Sequence, residues 1–352
     1  MSETGHPLAE RYLEALYELP DSLRVRRELE DQLAATLTGG NHVCIRGFWR
    51  IGKTTLMKGT LQRAAERTGG AGFSIDLRDP DRDDGLPQSA EAVLGRVTAK
   101  VQEFLNRVGA TELKADPAKP LLVLGELAAP IFVGFDELIA LHALGLEKAA
   151  AVITALLETP KNVKVVMVCH RHRDVDALFE SLILPVAASV FVPCVSDDEL
   201  VQLVQTPALA EGITFENEAL GVLADVTGNR PWELFTLLHL IAVRLKPDFK
   251  GSIGPSQVEE VITLDVLAET EDGQKLVDNC LRILLTAMTP EERTVMELLS
   301  AGKEGEATEE ALKRLETTGW IIAADDGYLV NGALMDGITR SVVEGEIKVS
   351  VA

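Results

Sequence analysis

A chain of 352 residues is too long for one ordinary domain and long enough for two or three. With 46% hydrophobic and 25% charged residues it has the balance of a folded protein, and no apolar run reaches the ~18 residues of a membrane span, since the best stretch, 121–135, is broken by Glu126 and Pro130. Thirty-four basic against 55 acidic residues leave a net charge of −21, which argues against broad affinity for nucleic-acid phosphates or anionic membranes and leaves only a local basic patch open.

In chain order, the start has neither a basic cluster nor an apolar stretch, so no signal peptide is expected. Residues 7–38 have helical spacing (Leu8, Tyr12, Leu13, Leu16, then Leu29, Leu33, Leu37), interrupted at Pro20-Asp21-Ser22. The apolar run 42–46 predicts a buried strand, followed by a helix from Gly52-Lys53 to about Arg67. Strands at 71–77, 130–135, 163–169 and 189–192 then alternate with helices at 89–108, 143–158 and 174–182. Five apolar strands with helices between them predict a three-layer α/β core with a five-stranded parallel sheet, over residues 41–195. After Pro193 the strand signal vanishes. Helices are expected at 196–206, 215–226, 231–245 and 255–267, making a small helical domain, 196–267, and a linking helix at 273–288 comes next. Thr289-Pro290-Glu291-Glu292 is a capping-box start for two further helices, and two short strands flank an Asp-Gly turn at 320–330, a winged-helix-like pattern within 268–352. Residues 1–40 are expected to pack on the core. Cys44, Cys169, Cys194 and Cys280, without C-x-x-C spacing, predict reduced thiols of a cytoplasmic protein.

Gly47-Phe48-Trp49-Arg50-Ile51-Gly52-Lys53-Thr54-Thr55 fits G-x-x-x-x-G-K-[ST] between a predicted strand and a predicted helix. In a chain of this composition such a match is expected about 0.009 times by chance. Glycines let backbone N–H groups turn inward on phosphate oxygens, and the helix N-terminus adds its positive end. Lys53 would reach the β- and γ-phosphates, Thr54 would hold Mg²⁺, and Gly47, Trp49, Arg50, Ile51, Gly52 and Thr55 complete the candidate nucleotide-binding set. The apolar strand that ends in Asp136-Glu137 supplies two carboxylates: Asp136 for the metal, and Glu137 to polarise an attacking water.

With these motifs the chain resembles the AAA-like P-loop ATPases of the STAND and archaeal-ATPase type. In that family the catalytic glutamate follows the magnesium aspartate on the third strand. The segment Arg24-Val25-Arg26-Arg27-Glu28-Leu29 is similar to the family's helix start before the P-loop, which implies that Leu23 and Val25 lie near the base; a solvated helix start is the alternative. Val166-Met167-Val168-Cys169-His170-Arg171 ends the fourth strand where the family has two small polar residues and a γ-phosphate-sensing arginine, so the resemblance gives that role to Arg171, while Cys169 and His170 depart from the pattern. Gly228-Asn229-Arg230-Pro231-Trp232 resembles the Gly-x-Pro turn by which the family's helical lid touches nucleotide, with one extra residue; Arg230, beside Pro231, is either a second sensor or a helix-start residue. His170-x-His172 lacks a further ligand at recognisable spacing and is not read as a metal pair.

The implied function is an ATP/ADP-dependent, Mg²⁺-requiring switch with slow hydrolysis, acting through protein partners or nucleotide-dependent self-association, with nucleotide expected between core and lid. A ring-forming AAA+ ATPase acting on DNA is one alternative, weakened because residues 177–189, where such rings place an arginine, contain no basic residue. A winged-helix DNA-binding regulator is another. Residues 290–352 carry six basic and thirteen acidic residues, so generic DNA binding is not expected.

Overall fold

The computed structural model describes every residue except 1–5, 18–19, 21–22, 49, 83, 171–181, 184–186, 263–266, 268–269, 304–306, 319, 325–326 and 345–352. The chain divides into two units, one of Arg27–Phe48 with Lys53–Val192, the other of Met1–Arg26, Trp49–Gly52 and Pro193–Ala352.

The first of these is the α/β core. Strands β1 (His42–Gly47), β2 (Ala71–Asp76), β3 (Ile131–Asp136), β4 (Val163–His170) and β5 (Ala187–Phe191) form one sheet in the order β2-β3-β4-β1-β5. All pairs are parallel, and β4 lies between β1 and β3. Every residue of β3 is buried, as a strand covered on both faces requires. Its alternation assigns the layers. Ile131, Val133 and Phe135 join Val93, Val97, Val101 and Phe104 of α4 (Ala90–Arg107) and Val152, Ile153 and Leu156 of α5 (Leu146–Leu157) in one apolar cluster. The opposite face carries Gly134, where a Cβ would come within 2.6 Å of Met57 Sδ and 2.9 Å of Leu61 Cδ1 on α3 (Lys53–Thr68). Helix α2 (Arg27–Thr38) packs on α3. Ser89 caps α4 by accepting from Ala92 N at 3.1 Å. The helix expected over 143–158 is split. A 3₁₀ segment covers Leu138–Leu144, and α5 starts afresh after Gly145, whose φ of 79° breaks the helical path. The helix expected at 174–182 lies almost entirely outside the described residues.

At the α3–β2 turn, a Cβ on Gly70 would run into the carbonyl oxygen of Pro130, just before β3. Gly70→Ala is therefore expected to cost about 1–3 kcal/mol by forcing that backbone apart, seen as a lower urea midpoint. An unchanged midpoint would show that the turn yields freely.

The other unit is mainly helical. It contains α1 (Pro7–Tyr17), α6 (Asp197–Ala210), α7 (Asn217–Thr227), α8 (Pro231–Val243), α9 (Pro255–Glu259) and α10 (Glu271–Arg282), the last continued by a π turn at Ile283–Ala287. Two further helices, α11 (Pro290–Ser300) and α12 (Glu309–Thr317), precede the antiparallel pair β8 (Ile321–Ala324) and β9 (Gly327–Val330), and α13 (Ala333–Val343) comes after it. The expected capping box forms at Thr289 with Glu292, and a second, not anticipated, joins Ser196 with Glu199. Three expectations need correction. Strands do occur after Pro193, since β6 (Ile213–Phe215) and β7 (Gly251–Ile253) pair in parallel. The helix expected over 255–267 is interrupted: α9 ends at Glu259 and the chain turns at Val261, while 263–266 lie outside the described residues. Helix α1 groups with this unit, not with α2. Its Leu8 and Tyr12 are fully buried, the Tyr12 hydroxyl donates to Val204 O of α6 at 2.8 Å, and its ring lies 6.3 Å from that of Phe235 on α8. Among the described residues no helix is long and apolar enough to cross a membrane.

Candidate functional site

Strand register assembles the site. Gly47 at the end of β1 pairs with His170 at the end of β4, and Phe135 of β3 pairs with Met167 of β4. Asp76 at the end of β2 lies opposite Asp136. Four strand ends therefore present the glycine loop, the imidazole and three carboxylates along one edge of the sheet.

The loop after Gly47 turns through left-handed backbone at Arg50 (φ 62°) and Gly52 (φ 92°). Gly52 needs its missing Cβ twice, for that φ and because a Cβ would sit 3.0 Å from Arg26 Nη1. Arg26 donates to Ile51 O at 2.6 Å and to Pro193 O, and its backbone N–H is held by Glu199 Oε1 at 2.6 Å. Arg50 lies 5.3 Å over the Trp232 ring. Trp49 lies outside the described residues.

Lys53 opens α3 and is only 3% exposed. Its Nζ donates to Phe48 O within the loop and lies 3.0 Å from His170 Nδ1. The other ring nitrogen, Nε2, is 2.7 Å from Glu137 Oε2. An ammonium only donates, so Nδ1 accepts, and Nε2 carries the proton given to the carboxylate. Burial and the Lys53 charge push His170 below its ordinary value, which keeps the ring neutral, as that chain of hydrogen bonds requires. Burial alone would raise Glu137; the His170 hydrogen bond and the cations Arg78 and Lys53 outweigh it, so the carboxyl is held below its usual range and stays ionised at neutral pH. Glu137 itself has left-handed backbone, φ 57° and ψ 43°, which turns the chain out of β3 into the 3₁₀ segment.

Thr54 donates its hydroxyl to Asp136 Oδ2 at 2.7 Å, and Asp136 Oδ1 accepts the Glu137 N–H at 2.9 Å. Asp136 is 8% exposed. Burial drives its carboxyl upward; the Thr54 hydrogen bond offsets part of this, and the neighbouring charges of Glu137 and Asp76 add to it. A buried carboxylate destabilised in this way, beside a hydroxyl, is a donor set that fits a hard divalent cation. Among the described residues no three His, Cys, Asp or Glu side chains gather into a cage.

Arg78, which carried no signal in the sequence, grips Asp76 with Nε and Nη2 (3.1 and 2.6 Å to Oδ2) and adds positive charge near Asp136 and Glu137. Thr55 is half-buried on α3, and Val25 is half-buried beside the buried Leu23, where its place near a base rests on the family resemblance alone. Arg171 and His172 lie outside the described residues.

Arg230 is a correction. The lid resemblance has it, with Pro231, facing the nucleotide as a sensor. It precedes α8 as its N-cap residue, with Pro231 as the first helical residue, and is 3% exposed within the helical unit. Its Nε donates to Glu233 Oε1 at 2.9 Å, its Nη1 to Asn331 O at 2.8 Å, and its guanidinium lies 4.7 Å over the Trp320 ring. Burial would weaken its charge, but the Glu233 carboxylate more than restores it. The side chain fastens α8 to the segment between β9 and α13 and is not presented to a ligand.

The parallel sheet in the order 2-3-4-1-5, with a glycine loop between β1 and α3 and an acidic pair closing β3, is a P-loop NTPase core. Among solved structures, the chain is similar to the Walker-type ATPase PABY2304 of Pyrococcus abyssi, at 17% identity and a TM-score of 0.57 over 92% of this chain and 99% of that one. It is also similar to the ORC1 protein of Aeropyrum pernix, solved in complex with DNA, at 15% identity and a TM-score of 0.50 over 94% and 96%. No protein-family model matches the sequence, and no curated protein does. At these identities the likeness is one of fold.

Proposed function

We propose that the chain is an AAA-like P-loop ATPase of the STAND or archaeal-ATPase type, a switch that binds ATP with Mg²⁺ and hydrolyses it slowly. The observation that carries this reading is the convergence of Lys53, Thr54, Asp136 and Glu137, drawn from a loop and a strand end with the fourth strand between them. Lys53 binds the β- and γ-phosphates, and the loop N–H groups at 50–53 cradle them. Thr54 and Asp136 hold the metal, whose charge would neutralise phosphate oxygens in the transition state. Glu137, ionised and half-buried, accepts a proton from the attacking water. Arg171 is assigned to the γ-phosphate by its place in the sequence. Purified chain should release phosphate from ATP with Mg²⁺ at a slow steady rate and stop when EDTA is added. Release that continues in EDTA, or no release at all, would end the ATPase reading.

The partners of such a switch are proposed to be proteins, or a second copy in the nucleotide-bound state, with residues 290–330 acting as a winged-helix-like contact module. Arg314 on α12 is already bound by Glu292 at 3.2 Å and Glu310 at 2.7 Å, which leaves that helix poor in charge for a phosphate backbone. A DNA-acting reading draws on the ORC1 likeness alone. It is tested by fluorescence anisotropy with duplex DNA near physiological salt, with and without an ATP analogue. Weak, nucleotide-independent binding is expected, because the chain at −21 meets like charge. Tight, salt-sensitive binding in the ATP state would replace the protein switch with a DNA loader.

A further inference from the structure

Between the glycine loop and the acidic pair stands one side chain that touches both. His170 ends the strand inserted between β1 and β3, and its two ring nitrogens meet Lys53 Nζ at 3.0 Å and Glu137 Oε2 at 2.7 Å. Lys53 is buried, so the acceptors around its ammonium are interior groups, and the imidazole is one of them. Phosphate oxygens that bind Lys53 have to share its three donors with these acceptors, and the imidazole is the one placed on the side of the acidic pair. Glu137, on left-handed backbone at the strand end, has its carboxylate aimed by the proton on Nε2.

We propose that His170 is a positioning residue with two separable tasks: through Nδ1 it competes with nucleotide phosphate for Lys53, and through Nε2–H it aims the Glu137 carboxylate. The inference rests on the ATPase reading above and adds a regulation to that site. In the nucleotide-free chain one imidazole holds the binding cation and the water-activating base together. Arriving phosphate releases the lysine side of this contact and leaves the glutamate side intact. Affinity is thereby lowered and turnover is raised by the same residue, an opposition that a purely structural histidine does not produce.

Three substitutions separate the tasks. In His170→Asn, the amide atoms sit at the depth of Nδ1, so the contact to Lys53 is kept and Glu137 is out of reach. His170→Gln brings its amide to the depth of Nε2, keeping a donor for Glu137 while leaving the Nδ1 position open. His170→Ala loses both. With Mg²⁺ and ATP for turnover and Mg²⁺ with a non-hydrolysable ATP analogue for binding, Ala is expected to bind about tenfold tighter and turn over about tenfold slower. Asn should turn over as slowly as Ala without its gain in affinity, and Gln should bind tighter than wild type and turn over faster than Ala. Thermal melts identify any variant that fails to fold, and the remaining variants still carry the test. Weaker binding by the Ala variant, or parallel losses of affinity and turnover in all three, would overturn the proposal. A second measurement is independent of catalysis. Histidine ¹⁵N spectra of the nucleotide-free wild-type chain, with His170→Gln as the assignment control, should show a neutral ring protonated at Nε2 at pH 7. A ring protonated at Nδ1, or averaging between tautomers, would overturn the His170 linkage whatever the chain binds. The expected tautomer in a chain that binds no nucleotide would instead overturn the ATPase reading, and the competition for Lys53 with it.

Discussion

Lys53→Ala should lose nearly all affinity for nucleotide. The ammonium is buried where β1 gives way to α3, and Arg78, the cation that shares the acidic end of the core with it, is committed to Asp76. A phosphate left with backbone N–H groups alone forfeits charge-assisted hydrogen bonds worth about 3 kcal/mol or more, roughly a hundredfold or more in Kd. Calorimetric titration with Mg²⁺ and a non-hydrolysable ATP analogue checks this. A Kd within threefold of wild type would mean that the glycine loop is not the phosphate site.

Glu137→Gln should do the reverse, binding ATP normally while turnover falls about 10²- to 10⁴-fold. The amide oxygen can still accept from His170 Nε2–H, so the local hydrogen bonding survives. What is lost is a group able to take a proton, because an amide has no basic lone pair at neutral pH. Single-turnover measurements isolate the chemical step from product release. Equal rates in the variant and wild type would remove Glu137 from the role of base and return attention to the metal-bound oxygens.

Much of this site is legible in linear sequence because its key pieces are contiguous. The glycine loop spans nine residues, and the acidic pair sits at the end of an uninterrupted apolar strand. The five core strands are likewise readable as short apolar runs, most clearly β3, which is buried on both faces. Strand order is not readable, and His170 depends on it. Its partner Lys53 is 117 residues away, and only the insertion of β4 between β1 and β3 brings them together. The sequence leaves Arg230 open between sensor and helix start for a related reason. Gly228-Asn229-Arg230-Pro231 resembles a ligand-facing turn, but the direction of the side chain is set by Asn331, 101 residues further on, and by Trp320. The pair β6–β7 offers three residues a strand, too few for a period to show. By contrast, the α13 pattern is present in Leu334, Met335 and Ile338, all buried at helical spacing.

The burial of Arg230 also bears on how this protein can be cut or recombined. A boundary near residue 268 looks natural in the sequence, between a run of helices and a capped helix–hairpin segment. Deleting residues 268–352 would strip away Asn331 and the Trp320 ring, leaving Arg230 and Glu233, each 3% exposed in its side chain, as an ion pair opened to solvent on one side. The same cut would uncover α7 and α8 where α13 and α10 now lie against them. Helices α1 and α6 to α13 thus belong to a single packed unit. A chimera that exchanges the C-terminal hairpin has to bring its own partner for position 230, and a truncation that spares the glycine loop still compromises a fold several elements away from the deletion.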